Sequence, residues 1–176
     1  MVDVVKYDPN TGELIWVERT PDFYPDRHSA AKFNSRFAGK VAGSITPGGN
    51  GRCYRELGVV RLGKRKRLYA HRVIWEMHNG PIPDGLQIDH IDGNSLNNKI
   101  ENLRLATHSQ NLHNRGAQSN NTTGFKGVHR RKSGRYCARI MSGGAYLNLG
   151  LFDHPEDAHA AYIAAANKYH GEFAHP

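Results

Sequence analysis

The chain has 176 residues, 38% of them hydrophobic, and carries a formal net charge of +8. This length suits one ordinary domain or two small ones, and no segment is long and apolar enough to predict a membrane span. Because Cys53 and Cys137 stand alone and far apart, the sequence predicts neither a disulfide framework nor a structural zinc site built on thiolates. With no signal-peptide pattern at its start, the chain is expected to work in a reducing, intracellular setting without a membrane partner.

The positive charge is concentrated beyond residue 50. Residues 1–50 hold six basic and six acidic side chains, so residues 51–176 carry the whole excess. Two runs, Arg61–Arg72 and Lys126–Arg139, contain six basic residues each and no acidic residue. Such patches suit a polyanion, with nucleic acid as the first candidate. The alternative, a solvated face that only keeps the protein soluble, stays open.

The first part of the chain is predicted to be rich in strands. The stretch "VVKYDPNTGELIWVE" reads as a hairpin around the turn Asp8–Gly12. Residues 20–38 contain Pro21 and Pro25 and are expected to be irregular. Three further strands are predicted before residue 71, and "YAHRVIWEMHNG" then changes to helical spacing until Gly80.

The stretch "LQIDHIDGNSLNN" raises the question of chemistry. Its turn needs residues such as Gly93 and Asn94, but it does not need the neighbouring Asp89 and His90. "GLQIDH" and "NLRLAT" are predicted strands, and Thr107 or Ser109 can cap a following helix, "HSQNLHNR". At a strand end that opens into a loop, an imidazole can act as a base while a carboxylate holds a divalent cation. Carboxylate and amide ligands suit Mg²⁺ or Mn²⁺ better than zinc.

A second pattern begins after a small polar stretch, residues 116–124, which is interpreted as a linker. "FKGVHRR", "RYCARIM" and "AYLNLGLF" alternate like three strands, and an alanine-rich helix follows, with Pro155 in its first turn and Gly171 as its cap. Five alanines are interpreted as the side of this helix that packs on the sheet: Ala158, Ala160, Ala161, Ala164 and Ala165.

The segment "LQIDHIDGNSLNNKIENLRLATHSQNLHNR", with its lead-in "AHRVIWEMHNGPIPDG", resembles the HNH endonuclease motif, the ββα-metal fold, in its phage and intron-encoded homing-type subgroup. The resemblance implies that His90 is the general base and that Asn102 pins the loop and orients the site. It also implies that Asp89 and Asn111 bind one divalent cation, Mg²⁺ or Mn²⁺. The third motif position is Asn, an HNN variant.

Residues 125–176 resemble the ethylene-response-factor (APETALA-type) DNA-binding domain in "GV-R", "A-I", "LG-F" and the helix "EDAHAAYIAAANKYHG". The resemblance implies that a three-stranded sheet enters the major groove of duplex DNA, which is wide enough for such a ribbon. The positions that match the contact residues of that family are Lys126, His129, Arg131, Arg135, Arg139, Tyr146 and Asn148. The basic strand that carries Arg65, Lys66 and Arg67 is a second predicted DNA-binding surface.

These observations predict an α+β chain with three parts. An HNH endonuclease domain spans residues 1–115, with a β-rich part at 1–70 and the core motif at 71–115. A linker at 116–124 and a three-strand-plus-helix DNA-binding domain at 125–176 follow. The predicted function is metal-dependent cleavage of duplex DNA, in a phage-infected host. The alternatives are a DNA-binding regulator with a degenerate nuclease motif and a protein that binds or cleaves RNA. The role of His71 and the oligomeric state stay open, and packing is the favoured role for His71.

Overall fold

The computed structural model describes residues 4–20, 24, 27–48, 51–61, 64–118 and 120–175. Within these residues the fold is mixed α/β, with several small antiparallel sheets and few helices, which confirms the predicted mixture of helices and strands. The chain divides into two compact units, residues 1–105 and residues 106–176. The predicted domain boundary after residue 115 lies further along the chain and stays a prediction.

The first unit contains most of the short strands. A hairpin at the start and a three-stranded sheet are followed by a helix and a two-stranded ladder, whose second strand ends just past the unit boundary at residue 105. These elements are β1 (Val5–Asp8), β2 (Glu13–Trp16), α1 (Arg27–Phe37), β3 (Ser44–Pro47), β4 (Cys53–Arg61), β5 (Lys64–Tyr69), α2 (Ala70–Asn79), β6 (Gln87–His90) and β7 (Leu103–Ala106). The β1–β2 hairpin and the three strands that follow are confirmed, with sheet order β3-β4-β5.

Residues 27–37 form the helix α1, so the prediction that residues 20–38 are irregular was wrong. Residues 21–23 and 25–26, where the two prolines fall, lie outside the described residues. Phe33 of α1 packs edge-on against Trp16 at 5.6 Å between ring centroids, and the Arg19 guanidinium lies 3.8 Å from the Phe33 ring centroid. A short helix depends on such tertiary contacts more than on local propensity, and local sequence does not reveal them.

The helix α2 and the strand β6 share one core. Val73 and Ile74 of α2 are buried with Leu57 of β4 and Ile88 of β6. The helix ends where the sequence predicts, since the Gly80 backbone N–H donates to the Glu76 carbonyl oxygen. This packing brings the first turn of α2 towards the end of β6.

The second unit holds a six-residue helix, a three-stranded sheet and a long helix. These elements are α3 (His108–His113), β8 (Val128–Arg130), β9 (Tyr136–Ser142), β10 (Ala145–Phe152) and α4 (Pro155–His170). The antiparallel sheet has the order β10-β9-β8, and α4 packs on it. Two small buried clusters, which include Ile140 with Tyr162 and Val128 with Ala158, join the sheet to the helix.

The face of α4 that meets the sheet differs in part from the prediction. Ala158 and Ala165 are buried, as expected, but Ala160 and Ala164 are exposed. The buried side is completed by Tyr162 and Ala166. At 3.6 residues per turn, positions 158, 162 and 165 share one face whereas 160 and 164 lie on another, so composition alone was a poor guide.

Part of the polar stretch at 116–124 forms a hydrogen-bonded turn. The Asn121 Oδ1 atom accepts hydrogen bonds from the backbone N–H groups of Thr123 and Gly124, and the Thr123 hydroxyl donates to the Val128 carbonyl oxygen at 3.1 Å.

In the described part of the chain, no helix combines the length and apolar character needed to cross a bilayer.

Candidate active site

Asp89 and His90 lie at the end of β6, and both are buried, with 3% and 5% of their surfaces exposed. A carboxylate in this position needs a partner, because an unpaired buried charge is costly. Arg104 of β7 supplies it: its Nε and Nη2 atoms each lie 2.9 Å from the Asp89 Oδ2 atom. The alternation of Leu103, Arg104 and Leu105 could have indicated this partner, because it turns Arg104 away from its apolar neighbours.

The His90 ring is oriented by Asn98. Its Nε2 atom lies 3.0 Å from the Asn98 Oδ1 atom. An amide oxygen only accepts, so His90 carries a proton on Nε2 and, when neutral, keeps the lone pair on Nδ1. Burial lowers the pKa of His90, against the opposing effects of the Asn98 hydrogen bond and of Asp92 and Asp89. The imidazole is therefore neutral near pH 7, the state that a base requires.

His71, in the first turn of α2, touches the candidate base. Its ring centroid lies 5.1 Å from that of His90 in an edge-to-face arrangement, and the ring also stacks on Tyr69 at 5.5 Å. Burial, and then the neighbouring His90 and Arg72, lower the pKa of His71 to about 3. A neutral, stacked imidazole fits the packing role that the sequence favours for His71.

Asn102 fastens the loop between β6 and β7. Its Oδ1 atom accepts from the Asp92 backbone N–H at 3.1 Å, and its Nδ2 atom donates to Asp92 Oδ1 at 2.9 Å and to the Asn97 carbonyl oxygen at 2.8 Å. The Ser95 hydroxyl adds a bond to the Cys53 carbonyl oxygen on β4 at 2.6 Å. The loop that follows His90 is thus held by Asn102 within the loop and by the Ser95 bond to β4.

Asn111 lies on α3, which belongs to the second unit. Thr107 caps this helix through a reciprocal pair of bonds: its hydroxyl accepts from the Gln110 N–H, and the Gln110 side chain accepts from the Thr107 N–H. The capping box settles the choice between Thr107 and Ser109 in favour of Thr107. The Asn111 side chain is half-buried.

The side chains predicted from the sequence to bind metal carry oxygen atoms that suit a hard cation. Asp89 and Asn111 offer carboxylate and amide oxygens, which Mg²⁺ and Mn²⁺ prefer. No group of three or more His, Cys, Asp and Glu side chains with the proximity for a metal exists among the residues that the structure describes. A cation at Asp89 would share the carboxylate with the Arg104 guanidinium, because that pair is already formed.

The open face of the β8–β10 sheet collects most of the predicted DNA-binding residues of the second unit. His129 pairs with Cys137, Arg139 pairs with Asn148, and Met141 pairs with Tyr146. Paired residues share a face, and this face is opposite to Ala138 and Ile140, which pack towards α4. The Arg131 Nη2 atom joins it, 3.6 Å from the Cys137 sulfur.

Lys126 and Arg135 have internal partners. The Lys126 Nζ atom donates to the backbone carbonyl oxygens of His113 and His175, and burial lowers the pKa of Lys126 to about 8. Arg135 donates to the Leu151 carbonyl oxygen and forms an ion pair with Asp153 at 2.8 Å. Lys126 is thus turned towards the protein's own backbone, while the Arg135–Asp153 pair is exposed.

The second predicted DNA-binding surface lies on β5. Lys66 and Arg67 pair with Val59 and Gly58 of β4, and both side chains are exposed. The side chain of Arg65 lies outside the described part of the structure. Sequence reasoning therefore placed Lys66 and Arg67 on an accessible strand but missed Asn98, Ser95 and Arg104 in the buried site.

Comparison with known proteins gives an independent view of the same segment. Residues 68–113 match the family model described as HNH endonuclease. The chain is 52% identical over 58 residues to Protein 3.8 of Escherichia phage T7, a match that covers 33% of this chain and 48% of that protein. It is 37% identical over 116 residues to an uncharacterized HNH endonuclease of Acanthamoeba polyphaga mimivirus, covering 65% of this chain and 58% of that protein.

The chain is also similar to a solved structure that describes DNA binding and cleavage by the HNH homing endonuclease I-HmuI. The TM-score is 0.41 and the sequence identity is 27%. The match covers 62% of this chain and 50% of that chain. The chain therefore spans about half the length of the relatives that it matches.

Proposed function

We propose that the chain is a metal-dependent endonuclease acting on duplex DNA, because residues 68–113 match the HNH endonuclease family model. The observation that carries the proposal is the buried Asp89–His90 pair inside this segment, with a neutral imidazole whose ring is held by Asn98. A turn of ordinary loop residues would not require two buried ionisable groups at its mouth.

The proposed chemistry is hydrolysis of a phosphodiester bond. The His90 Nδ1 atom takes a proton from water as the water oxygen forms a bond to phosphorus. The bond from phosphorus to the 3′ oxygen breaks, and the leaving oxygen receives a proton from solvent. The products are a 5′-phosphate and a 3′-hydroxyl. Asn102 serves this chemistry indirectly, because it fixes the loop that follows His90.

HNH nucleases generally use a divalent metal ion, and we propose that Asp89 and Asn111 hold Mg²⁺ or Mn²⁺ here. When bound, the ion would offset the negative charge that develops on the phosphate and on the leaving oxygen. Arg104 holds the Asp89 carboxylate in place in the absence of the ion.

Two surfaces are proposed to hold duplex DNA. The exposed Lys66 and Arg67 on β5 would contact backbone phosphates, which give affinity without sequence information. The open face of the β8–β10 sheet, with Arg131 and Arg139, would reach base edges in the major groove, as the ethylene-response-factor-type resemblance of residues 125–176 implies. The proposed setting is the interior of a phage-infected bacterial cell.

The alternative is a DNA-binding regulator with a degenerate nuclease motif. The Asp89–Arg104 ion pair favours it, since a guanidinium already neutralises the proposed metal ligand. An RNA-directed protein is the further alternative, and competition between duplex DNA and duplex RNA for the purified chain would reveal it.

The experiment is a nicking assay on supercoiled plasmid with Mg²⁺, with Mn²⁺ and with a chelator, followed by mapping of the ends. We expect conversion to nicked circles only with metal, and ends that ligase accepts directly. Plasmid that is bound but stays supercoiled under every metal condition would favour the regulator instead.

A further inference from the structure

We propose that the N-terminal β1–β2 hairpin positions the catalytic histidine, through contacts to the loop segment at residues 98–100. Asn98, Tyr7 and Gly12 are then positioning residues, and none of them is one of the motif residues Asp89, His90, Asn102 and Asn111. This inference rests on the proposed function of His90 as the base.

Asn98 is the direct link to the base. Its Oδ1 atom accepts a hydrogen bond from the His90 Nε2–H group at 3.0 Å, and only 2% of the residue is exposed. Because Asn98 binds the nitrogen that does not act as the base, it acts through the orientation of the ring. Any displacement of the Asn98 backbone therefore moves the His90 ring or breaks the hydrogen bond.

Tyr7 of β1 holds the backbone just after Asn98. Its hydroxyl oxygen accepts a hydrogen bond from the Ile100 backbone N–H at 2.9 Å, across 93 residues of sequence. The Tyr7 ring is itself braced by His78 of α2, edge-on at 4.9 Å between centroids. The hydrogen bond falls at the start of the 3₁₀ turn Ile100–Asn102, so the hairpin also supports the residue that pins the loop.

Gly12, in the turn of the hairpin, approaches the same backbone at close range. It has a φ of +74°, and a Cβ atom at this position would lie 2.6 Å from the Lys99 nitrogen and 3.0 Å from the Asn98 carbonyl carbon. Both atoms are backbone atoms, so a side chain at residue 12 would have to displace the 98–99 peptide or the hairpin itself. The hairpin has its own anchor, because Glu13 forms an ion pair with Arg55 of β4 at 2.9 Å.

Two separate contacts thus join residues 5–16 to the loop segment at residues 98–100. A general base must stay within hydrogen-bonding reach of its water, and a misplacement of about 1 Å can lower a rate about 100-fold. The hairpin is far from the HNH segment in sequence, yet the geometry makes it part of the catalytic apparatus.

The test compares Gly12→Ala with Gly39→Ala. Gly39 has a φ of +75°, and a Cβ atom there would meet nothing within 4 Å. Both variants carry the same backbone strain, but only Gly12→Ala pushes on the Asn98–Lys99 peptide. At saturating DNA and metal, and well below both melting temperatures, we expect Gly12→Ala to lower kcat about tenfold or more, with DNA affinity unchanged. Gly39→Ala should keep the kcat of the natural chain.

Two further variants test the contacts one at a time. Tyr7→Phe removes only the hydroxyl and should lower kcat by a smaller factor than Gly12→Ala. Asn98→Leu removes the acceptor, whereas Asn98→Asp retains an oxygen that can accept a hydrogen bond from the His90 Nε2–H group. Positioning through this bond requires that Asn98→Asp keep more activity than Asn98→Leu.

A second readout does not depend on cleavage. The side-chain ¹⁵N and ¹H resonances of His90, assigned by their loss in His90→Ala, report the environment of the ring directly. We expect them to shift in Gly12→Ala and Asn98→Leu and to stay in place in Gly39→Ala. Equal kcat values and equal His90 resonances for the two glycine variants would overturn the inference. A natural chain that never nicks DNA would instead overturn the proposed function, and the resonances would still decide whether the hairpin positions His90.

Discussion

The β6–β7 hairpin and the open face of the β8–β10 sheet both gather polar side chains, but they treat them in opposite ways. Asp89, His90 and Asn98 are each less than one tenth exposed and have named partners inside the protein. Arg131 and Arg139 are exposed. The first arrangement fixes groups in place, and the second leaves them within reach of another molecule.

The difference has an energetic basis. A buried polar group must be hydrogen-bonded, and breaking one partner leaves a costly orphan. Such a group has little freedom to move, which suits a base that must meet one water in one orientation. An exposed arginine keeps its freedom and its solvation, which suits contact with a phosphate or a base edge. Substitutions should therefore affect chemistry in the first region and affinity in the second.

The largest expected effect is the loss of nicking in His90→Ala. Removal of a positioned general base typically costs about 10²–10⁴-fold in rate, while DNA binding should remain because the basic surfaces are unchanged. The matched control is His28→Ala, an exposed histidine on α1. Nicking by His90→Ala at more than a tenth of the natural rate would contradict the assignment of the base.

The second prediction concerns acid stability and His71. Burial lowers its pKa from 6.5 to about 3, so between these values the unfolded state binds more protons than the folded state. Stability contributed by neutral His71 is therefore present above pH 6.5 and is lost as the pH falls towards 3. Since one pKa unit corresponds to about 1.4 kcal/mol, we expect this loss to be about 2–4 kcal/mol.

His71→Phe should remove that part of the pH dependence while keeping the stack on Tyr69. Urea midpoints between pH 7 and pH 4 measure it, and Trp16 and Trp75, both in the first unit, report unfolding by fluorescence. The comparison variant is His28→Phe, which should follow the natural chain. A His71→Phe curve parallel to the natural one would mean that other groups govern the acid response.

The third prediction is a loss of stability in Asn102→Ala. The substitution deletes three hydrogen bonds and leaves the Asp92 N–H and the Asn97 carbonyl without their partner. These hydrogen bonds are partly buried, and the loss of such a bond costs about 0.5–1.5 kcal/mol, so the urea midpoint should fall. Asn79→Ala, at an exposed helix end, provides the reference, and a similar small change in both variants would show that the loop does not depend on Asn102.

Local signals in the sequence predicted much of this fold. Three features follow from properties of neighbouring residues. The glycine cap predicts the end of α2 at Gly80, the spacing of apolar residues predicts the strand at Gln87–His90, and the backbone preference of proline predicts the start of α4 at Pro155. The helix α1 was missed because its support comes from Trp16 and Arg19, outside the helix.

The candidate site shows the same limit. Asp89 and His90 stand out in the sequence, but the hydrogen bond from His90 to Asn98 and the ring contact with His71 depend on how the chain folds back. Arg104 was recoverable in principle, because a charged residue that alternates with leucines on a neighbouring strand can face the carboxylate. The contact between Tyr7 and Ile100 crosses 93 residues and leaves no local pattern.

The fourth prediction concerns the metal dependence of nicking. Asp89→Asn and Asn111→Ala should each raise the Mg²⁺ or Mn²⁺ concentration that gives half-maximal nicking. Even outer-shell partners of a metal change affinity about 10–100-fold, so a direct ligand should give about tenfold or more, with Asp89→Asn the stronger because it also loses charge. Asp84→Asn, an exposed carboxylate, is the control, and full cleavage in chelator would contradict the metal role.

The smallest expected effect is on the open sheet face, and it concerns affinity alone. The Arg139 guanidinium lies over the Tyr146 ring at 5.0 Å and is exposed, so Arg139→Ala should weaken DNA binding and reduce the slope of log K against log salt by about 1 if the contact is to phosphate. If Arg139 reads a guanine, the variant should instead lose about 1–3 kcal/mol of discrimination at one position of the site. Arg130→Ala is the matched control, because Arg130 pairs with Tyr136 on the side of the sheet that faces α4. Binding is measured by fluorescence anisotropy at several salt concentrations, and nicking by both variants at saturating DNA should keep its natural rate. Equal losses of affinity in both variants would mean that the second unit contributes only general positive charge. The contrast between a buried site for chemistry and an exposed surface for recognition would then apply only within the first unit.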